Sequence, residues 1–171
     1  MVYNRTKNQL ELYQCFIQPG QLAFSRDPSL ICSVCGNGVL IVLRDRIKKI
    51  GGVAHCVFHK RERNAKPSNY HVDNAIYSLL RSLSSMNAAK HHLEAQLYGG
   101  GAYLGRNEKR AGKVVNRVRK ILKRLDIKIV SEDVGGSLGR KIAFNTKSGE
   151  TIVFKTRKVR KTDWKPEMVR R

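Results

Sequence analysis

Hydrophobic and polar positions change their period several times along the chain, and each change marks an element. After a polar start, Phe16-Ile17 and Leu22 to Phe24 flank Pro19-Gly20, which predicts two strand pieces joined by a turn. The run "RDPS" breaks the chain, and Val39 to Leu43 are then all β-branched or Leu, the pattern of a strand buried on both faces. "RDRIKK" predicts a turn, and "IGGVAHCVF" resumes as the second strand of a hairpin. The basic stretch "HKRERNAKPSNY" predicts a surface loop. Val72, Ile76, Leu79, Leu80 and Leu83 recur at helical spacing, and "HHLEAQLYGGG" follows as a strand ending in a glycine turn. A second helix, 107–125, buries Val114, Val115, Val118, Ile121, Leu122 and Leu125 and leaves Lys109, Lys113, Arg117, Lys120 and Arg124 around the rest. "IKIVSEDVGG" and "RKIAFNTKSGETIVFKTRKV", with Ser148-Gly149 as a turn, supply three more strands. No repeat interrupts the pattern. The expectation is one α+β domain over 1–171, with layered mixed sheets, two main helices on the outside and a basic tail, 157–171, at the periphery.

Composition narrows the setting. No apolar run approaches the roughly 20 residues that span a membrane, and the N-terminus lacks the basic-then-apolar order of a secretory signal, so a cytoplasmic protein without a transmembrane segment is expected. Four cysteines, Cys15, Cys32, Cys35 and Cys56, are too few and too clustered for a disulfide framework and read as reduced thiols. A net charge of +21 on 171 residues points to anionic partners, among them nucleic acid, an acidic protein surface or an anionic membrane face, and charge alone does not choose.

Two chemistries compete for the segment Leu30 to Lys60. Cys32 and Cys35 have C-x2-C spacing and His55 and His59 have H-x3-H spacing, a set that could hold zinc in a nucleic-acid-binding module. Against it, most of the nineteen residues between Cys35 and His55 belong to the expected hairpin. The other chemistry is nucleophilic. A thiol exposed on a glycine turn, an imidazole presented by the neighbouring strand and a third group orienting that imidazole would make a cysteine amidohydrolase.

These segments, in this order, resemble the CheD family of chemoreceptor glutamine deamidases. "GNGVLIVLRD" stands where that family has its Gly-Ser-Cys turn and strand, and "IGGVAH" matches its histidine motif. "FIQPGQLAF", "HVDNAI", "LYGGGA" and "SEDVGGSLGRKIAFNTKSGETIV" match flanking pieces, so the likeness covers nearly the whole chain. The resemblance implies a CheD-like fold and hydrolysis of a receptor glutamine amide to glutamate by thiolate attack, with His55 as base and then acid. It implies no cofactor and no metal. It puts substrate binding at Gly36, Asn37, Gly51 and Gly52, and the partners at chemoreceptor cytoplasmic domains, with a CheC-type phosphatase as a further candidate; nucleic acid is disfavoured but stays open on charge.

The departures are specific. Register fixed by Gly36, Asp45 and His55 places Gly38 at the family's nucleophilic cysteine and Cys32 at its threonine. The stretch after "GGGAYLG" is shorter than the family's loop, and Lys113-Val114 stand where an Arg-Asn pair is usual. The expectation is therefore a receptor-engaging protein whose deamidation is impaired or absent, its status as an enzyme left open. The alternatives are an amidohydrolase using Cys32 or Cys35, and the zinc or nucleic-acid module.

Overall fold

A computed structural model describes residues 12–60, 66–103, 108–159 and 163. The strands are β1 Tyr13–Ile17, β2 Leu22–Ser25, β3 Ser29–Cys35, β4 Val39–Asp45, β5 Ile50–Cys56, β6 Leu93–Gly99, β7 Lys128–Val134, β8 Gly139–Asn145 and β9 Thr151–Thr156; the helices are α1 Val72–Ser85 and α2 Glu108–Arg124. They form a four-stranded sheet, β1-β3-β8-β9, and a five-stranded sheet, β2-β5-β4-β6-β7. The pairs β1-β3 and β6-β7 are parallel and the rest antiparallel. The architecture is α+β, as the period changes along the chain indicate.

The five-stranded sheet is the middle layer. Val39, Ile41 and Leu43 of β4 join Ala54 and Cys56 of β5 and the apolar stripes of α1 and α2 in one core. Leu40, Val42 and Val53, on the other face, join Ile31, Ile142 and Phe144 of the four-stranded sheet in a second core. Burial on both faces is why β4 reads as an unbroken apolar run rather than an alternating one. The antiparallel register of β4 and β5 sets Leu40 opposite His55, so His55 shares the face that looks into the sheet-to-sheet layer, while Cys56 packs toward the helices.

α1 and α2 match their periodic stripes, with Val72, Ile76, Leu79 and Leu83 buried on one and Val114, Val118, Ile121 and Leu122 on the other. Strand β3 is not marked by the sequence pattern: its alternation of Ile31, Ser33 and Cys35 inward with Leu30 and Cys32 outward puts polar side chains on the buried face. The N-terminal sixteen-residue stretch up to Phe16, the loop 59–70, the stretch after Gly101 and the tail 157–171 lie in part outside the described residues.

Candidate functional site

Three glycine-bearing turns meet at one end of the two sheets. The turn 36–38 leads from β3 into β4, the turn 99–101 follows β6, and the turn 135–136 follows β7. Gly100 N–H donates to Gly38 O at 2.7 Å, Gly135 N–H to Gly99 O at 2.9 Å, and Ala102 N–H to Gly136 O at 2.7 Å. Gly100 takes a left-handed φ of 61°, which suits a residue without a Cβ. Asn37 Nδ2 donates to Gly101 O at 3.2 Å, and the ring of Tyr103 lies against Gly36. Asn37 and Gly36, both expected at the site, thus sit in the turn beside Gly38. The buried Arg140 lies against Gly101 and pairs with Asp133 at 2.9 Å.

His55 faces this turn from β5. A β-carbon built on Gly38 would lie 2.6 Å from His55 Nε2 and 2.9 Å from the backbone oxygen of Cys56. The imidazole therefore occupies the room that a side chain at position 38 would need. Gly38 has an ordinary φ, so nothing in its backbone demands glycine; what glycine permits here is close approach of the ring.

The other ring nitrogen is held by Ser33. Its Oγ lies 2.8 Å from Ile17 O and 3.1 Å from His55 Nδ1. A carbonyl only accepts, so the hydroxyl proton goes to Ile17 and Oγ accepts from Nδ1–H. That fixes the tautomer with the Nε2 lone pair aimed at position 38, the form a general base requires. Burial pushes the His55 pKa down from 6.5 to about 3, so the ring is neutral at physiological pH.

Cys32, aligned with the family's threonine, is on the opposite face of β3, where its register partners are Phe16 and Ala143. The hydroxyl that meets the His55 ring belongs to the next residue, Ser33, one position out of the gap-free register. Sequence reasoning missed it because β3 itself was not marked. A strand reading with Ile31, Ser33 and Cys35 sharing the inward face would have placed a hydroxyl on the side from which His55 approaches.

The glycines Gly51 and Gly52 serve packing rather than the turn region. A β-carbon on Gly51 would meet the Phe144 ring at 3.0 Å, and one on Gly52 would meet Ala23 O at 2.6 Å and Leu79 Cδ1 at 2.8 Å. Their lack of side chains lets β2, α1 and Phe144 close on β5. They lie three and four residues from His55, about 10–13 Å along the strand.

The environments of the described thiols disfavour the reactive form. Cys35 is fully buried, and burial drives its pKa up to about 12, only partly offset by Arg140; Cys56 is likewise pushed up to about 12. Burial also raises Cys32, with neighbouring Cys15 adding to the effect. The thiolate is the reactive form, and none of these environments favours it. Among the described residues, which include Cys32, Cys35, His55 and His59, no three His, Cys, Asp or Glu side chains gather where they could hold a metal ion.

The comparisons bear on the family of the chain. The protein-family model described as CheD chemotactic sensory transduction matches residues 58–155, beginning just after the His55 strand. A protein of Methanococcus maripaludis strain C5 named as a probable chemoreceptor glutamine deamidase CheD is 35% identical over 143 residues, covering 81% of this chain and 93% of that protein. The chemoreceptor glutamine deamidase CheD of Thermotoga maritima is 31% identical over 139 residues, covering 80% and 88%. A Pyrococcus abyssi relative is 34% identical over 127 residues, covering 70% and 77%. With a family-model match over more than half its length and relatives of this identity over most of it, the chain belongs to the CheD family.

Proposed function

We propose that this chain is a cytoplasmic chemotaxis protein that engages the cytoplasmic domains of chemoreceptors through a deamidase site lacking its nucleophile. The observation that carries the reading is the contact of a neutral, Ser33-oriented His55 with Gly38. The base and its orienting hydroxyl are present where a thiol would be activated, and the attacking atom is not. Family chemistry would run by attack of a thiolate on the glutamine amide carbon, departure of ammonia with a proton from the imidazolium, and hydrolysis of the thioester by water activated on Nε2. Without the thiol, what remains is binding and whatever stabilisation the turn donors supply. The imidazole, only 1% exposed, is also withdrawn from solvent, which supports a closed site.

The test is the intact mass of a receptor cytoplasmic fragment incubated with the parent protein and with Gly38→Cys, alongside a pull-down of that fragment. The parent binds the fragment and leaves its mass unchanged; Gly38→Cys binds and produces the mass shift of amide-to-acid conversion. A parent that deamidates, and loses that activity in Cys35→Ala or Cys32→Ala, overturns the reading and identifies a relocated nucleophile. A parent that does not bind receptor overturns it as well.

A further inference from the structure

The charge of α2 is sorted by position. Two arginines on its flanks are tied to carboxylates of neighbouring elements: Arg117 pairs with Asp73 of α1, and Arg119 with Glu132 of β7 at 2.6 Å. Lys109, Lys113, Lys120 and Lys123 are exposed and make no ion pair among the described residues. Helical spacing aligns these four as a crest opposite the buried Val114, Val118 and Leu122, extending about 21 Å along the axis.

Stability does not explain the crest. Lys120 and Lys123 are like charges one turn apart, as are Lys109 and Lys113, and such pairs weaken a helix. Lys109 lies in the first turn, where the helix dipole disfavours cations. Asp73 of α1 and Glu132 of β7 are already taken by the flanking arginines. With 34 basic against 13 acidic residues, the rest of the chain has little to offer in neutralisation.

We propose that the crest of α2 binds the phosphate backbone of duplex nucleic acid without reading its sequence. A convex ridge with cations spread along and to both sides of it fits a groove flanked by two phosphate strands, and the major groove admits a helix. The side chains are lysines, point charges suited to phosphate but not to planar bidentate readout, so sequence preference is not expected. No aromatic ring stands on the crest to stack unpaired bases, which disfavours single strands. The apolar face of α2 is spent on the core, leaving nothing to enter a lipid layer. The surface belongs to the helical layer, on the other side of the five-stranded sheet from His55, and only the buried side of α2, at Ala111 and Val115, meets Gly100 of the glycine turns.

Fluorescence anisotropy of a labelled mixed-sequence DNA duplex over a series of salt concentrations tests this. The variant carries Lys109→Gln, Lys113→Gln, Lys120→Gln and Lys123→Gln. A control with the same charge loss carries Lys66→Gln, Lys90→Gln, Lys147→Gln and Lys158→Gln, all exposed and off the crest. The expected result is steeply salt-dependent binding by parent and control, and a log–log salt slope smaller by about 3 to 4 in the crest variant, one counterion release per lost phosphate contact. The proposal fails if the parent does not bind duplex, or if both variants lose binding equally. It fails too if polyglutamate or phosphatidylglycerol vesicles bind the crest as tightly as duplex does.

Discussion

At the scale of single residues, the site turns on which atom each group offers its neighbour. Ser33 gives its proton to Ile17 and so can only accept from His55, which leaves the Nε2 lone pair facing position 38. In a Gly38→Cys background, Ser33→Ala should lower kcat by roughly 10- to 100-fold, the range that misplacing a catalytic group costs, with KM little changed. Ser33→Thr should retain most of the rate, because it keeps the hydroxyl. Cys32→Thr should add nothing, since that side chain is on the other face of β3. A gain from Cys32→Thr, or indifference to Ser33→Ala, would move the orienting role away from Ser33. The introduced cysteine also needs space: its β-carbon would start 2.6 Å from Nε2, so the ring must retreat for the thiol to sit beside it. Gly38→Ala, which demands the same retreat without a thiol, separates that strain from chemistry in the mass assay by folding at similar cost and deamidating nothing.

Elements differ in how far they can be read from the chain, and the reason is whether their signal is local. Helix α2 has six apolar positions at helical spacing, and β4 has five consecutive apolar residues, so each announces itself. The hairpin β4-β5 follows from a polar turn between two apolar runs. Strand β3 does not announce itself, because Ser33 and Cys35 face a layer made by residues more than a hundred positions away, Ile142 and Phe144. The contact of His55 with Gly38 was legible through motif register, whereas the Ser33 contact depends on how two sheets stack, which no local period encodes. Gly51-Gly52, read from the chain as strand glycines that permit close backbone approach, are close-packed within β5 against Phe144, Ala23 and Leu79. Gly52→Ala should therefore destabilise by about 1–3 kcal/mol through overpacking against Ala23 and Leu79, without touching the turn at Gly38. Urea unfolding checks this, and a variant as stable as the parent would show that β2 and α1 can yield.

For the whole molecule, two electrostatic effects oppose folding as pH falls, and salt tells them apart. The His55 pKa is about 3 in the fold against 6.5 for an ordinary histidine. Between those values the unfolded chain holds a proton that the folded chain does not, so stability rises with pH. That contribution is complete above about 6.5 and is lost as pH falls towards 3, at no more than about 1.4 kcal/mol per pH unit. The carboxylates act lower: for Asp45, burial raises the pKa but the N–H groups of Lys48, Ala89 and Ile47 more than reverse it, so its contribution fades below pH 4. The second effect is self-repulsion in a chain of net charge +21, which grows as carboxylates protonate. Added salt screens repulsion between exposed charges but not the desolvation of a buried ring. Urea unfolding between pH 7 and 5 should therefore show a pH slope that persists at high salt in the parent and is lost in His55→Gln, while added salt raises the stability of both proteins at either pH. A slope that vanishes with salt in the parent would assign the acid sensitivity to surface charge and mean that His55 takes up its proton in the folded state, which would remove the neutral base on which the Gly38→Cys restoration rests.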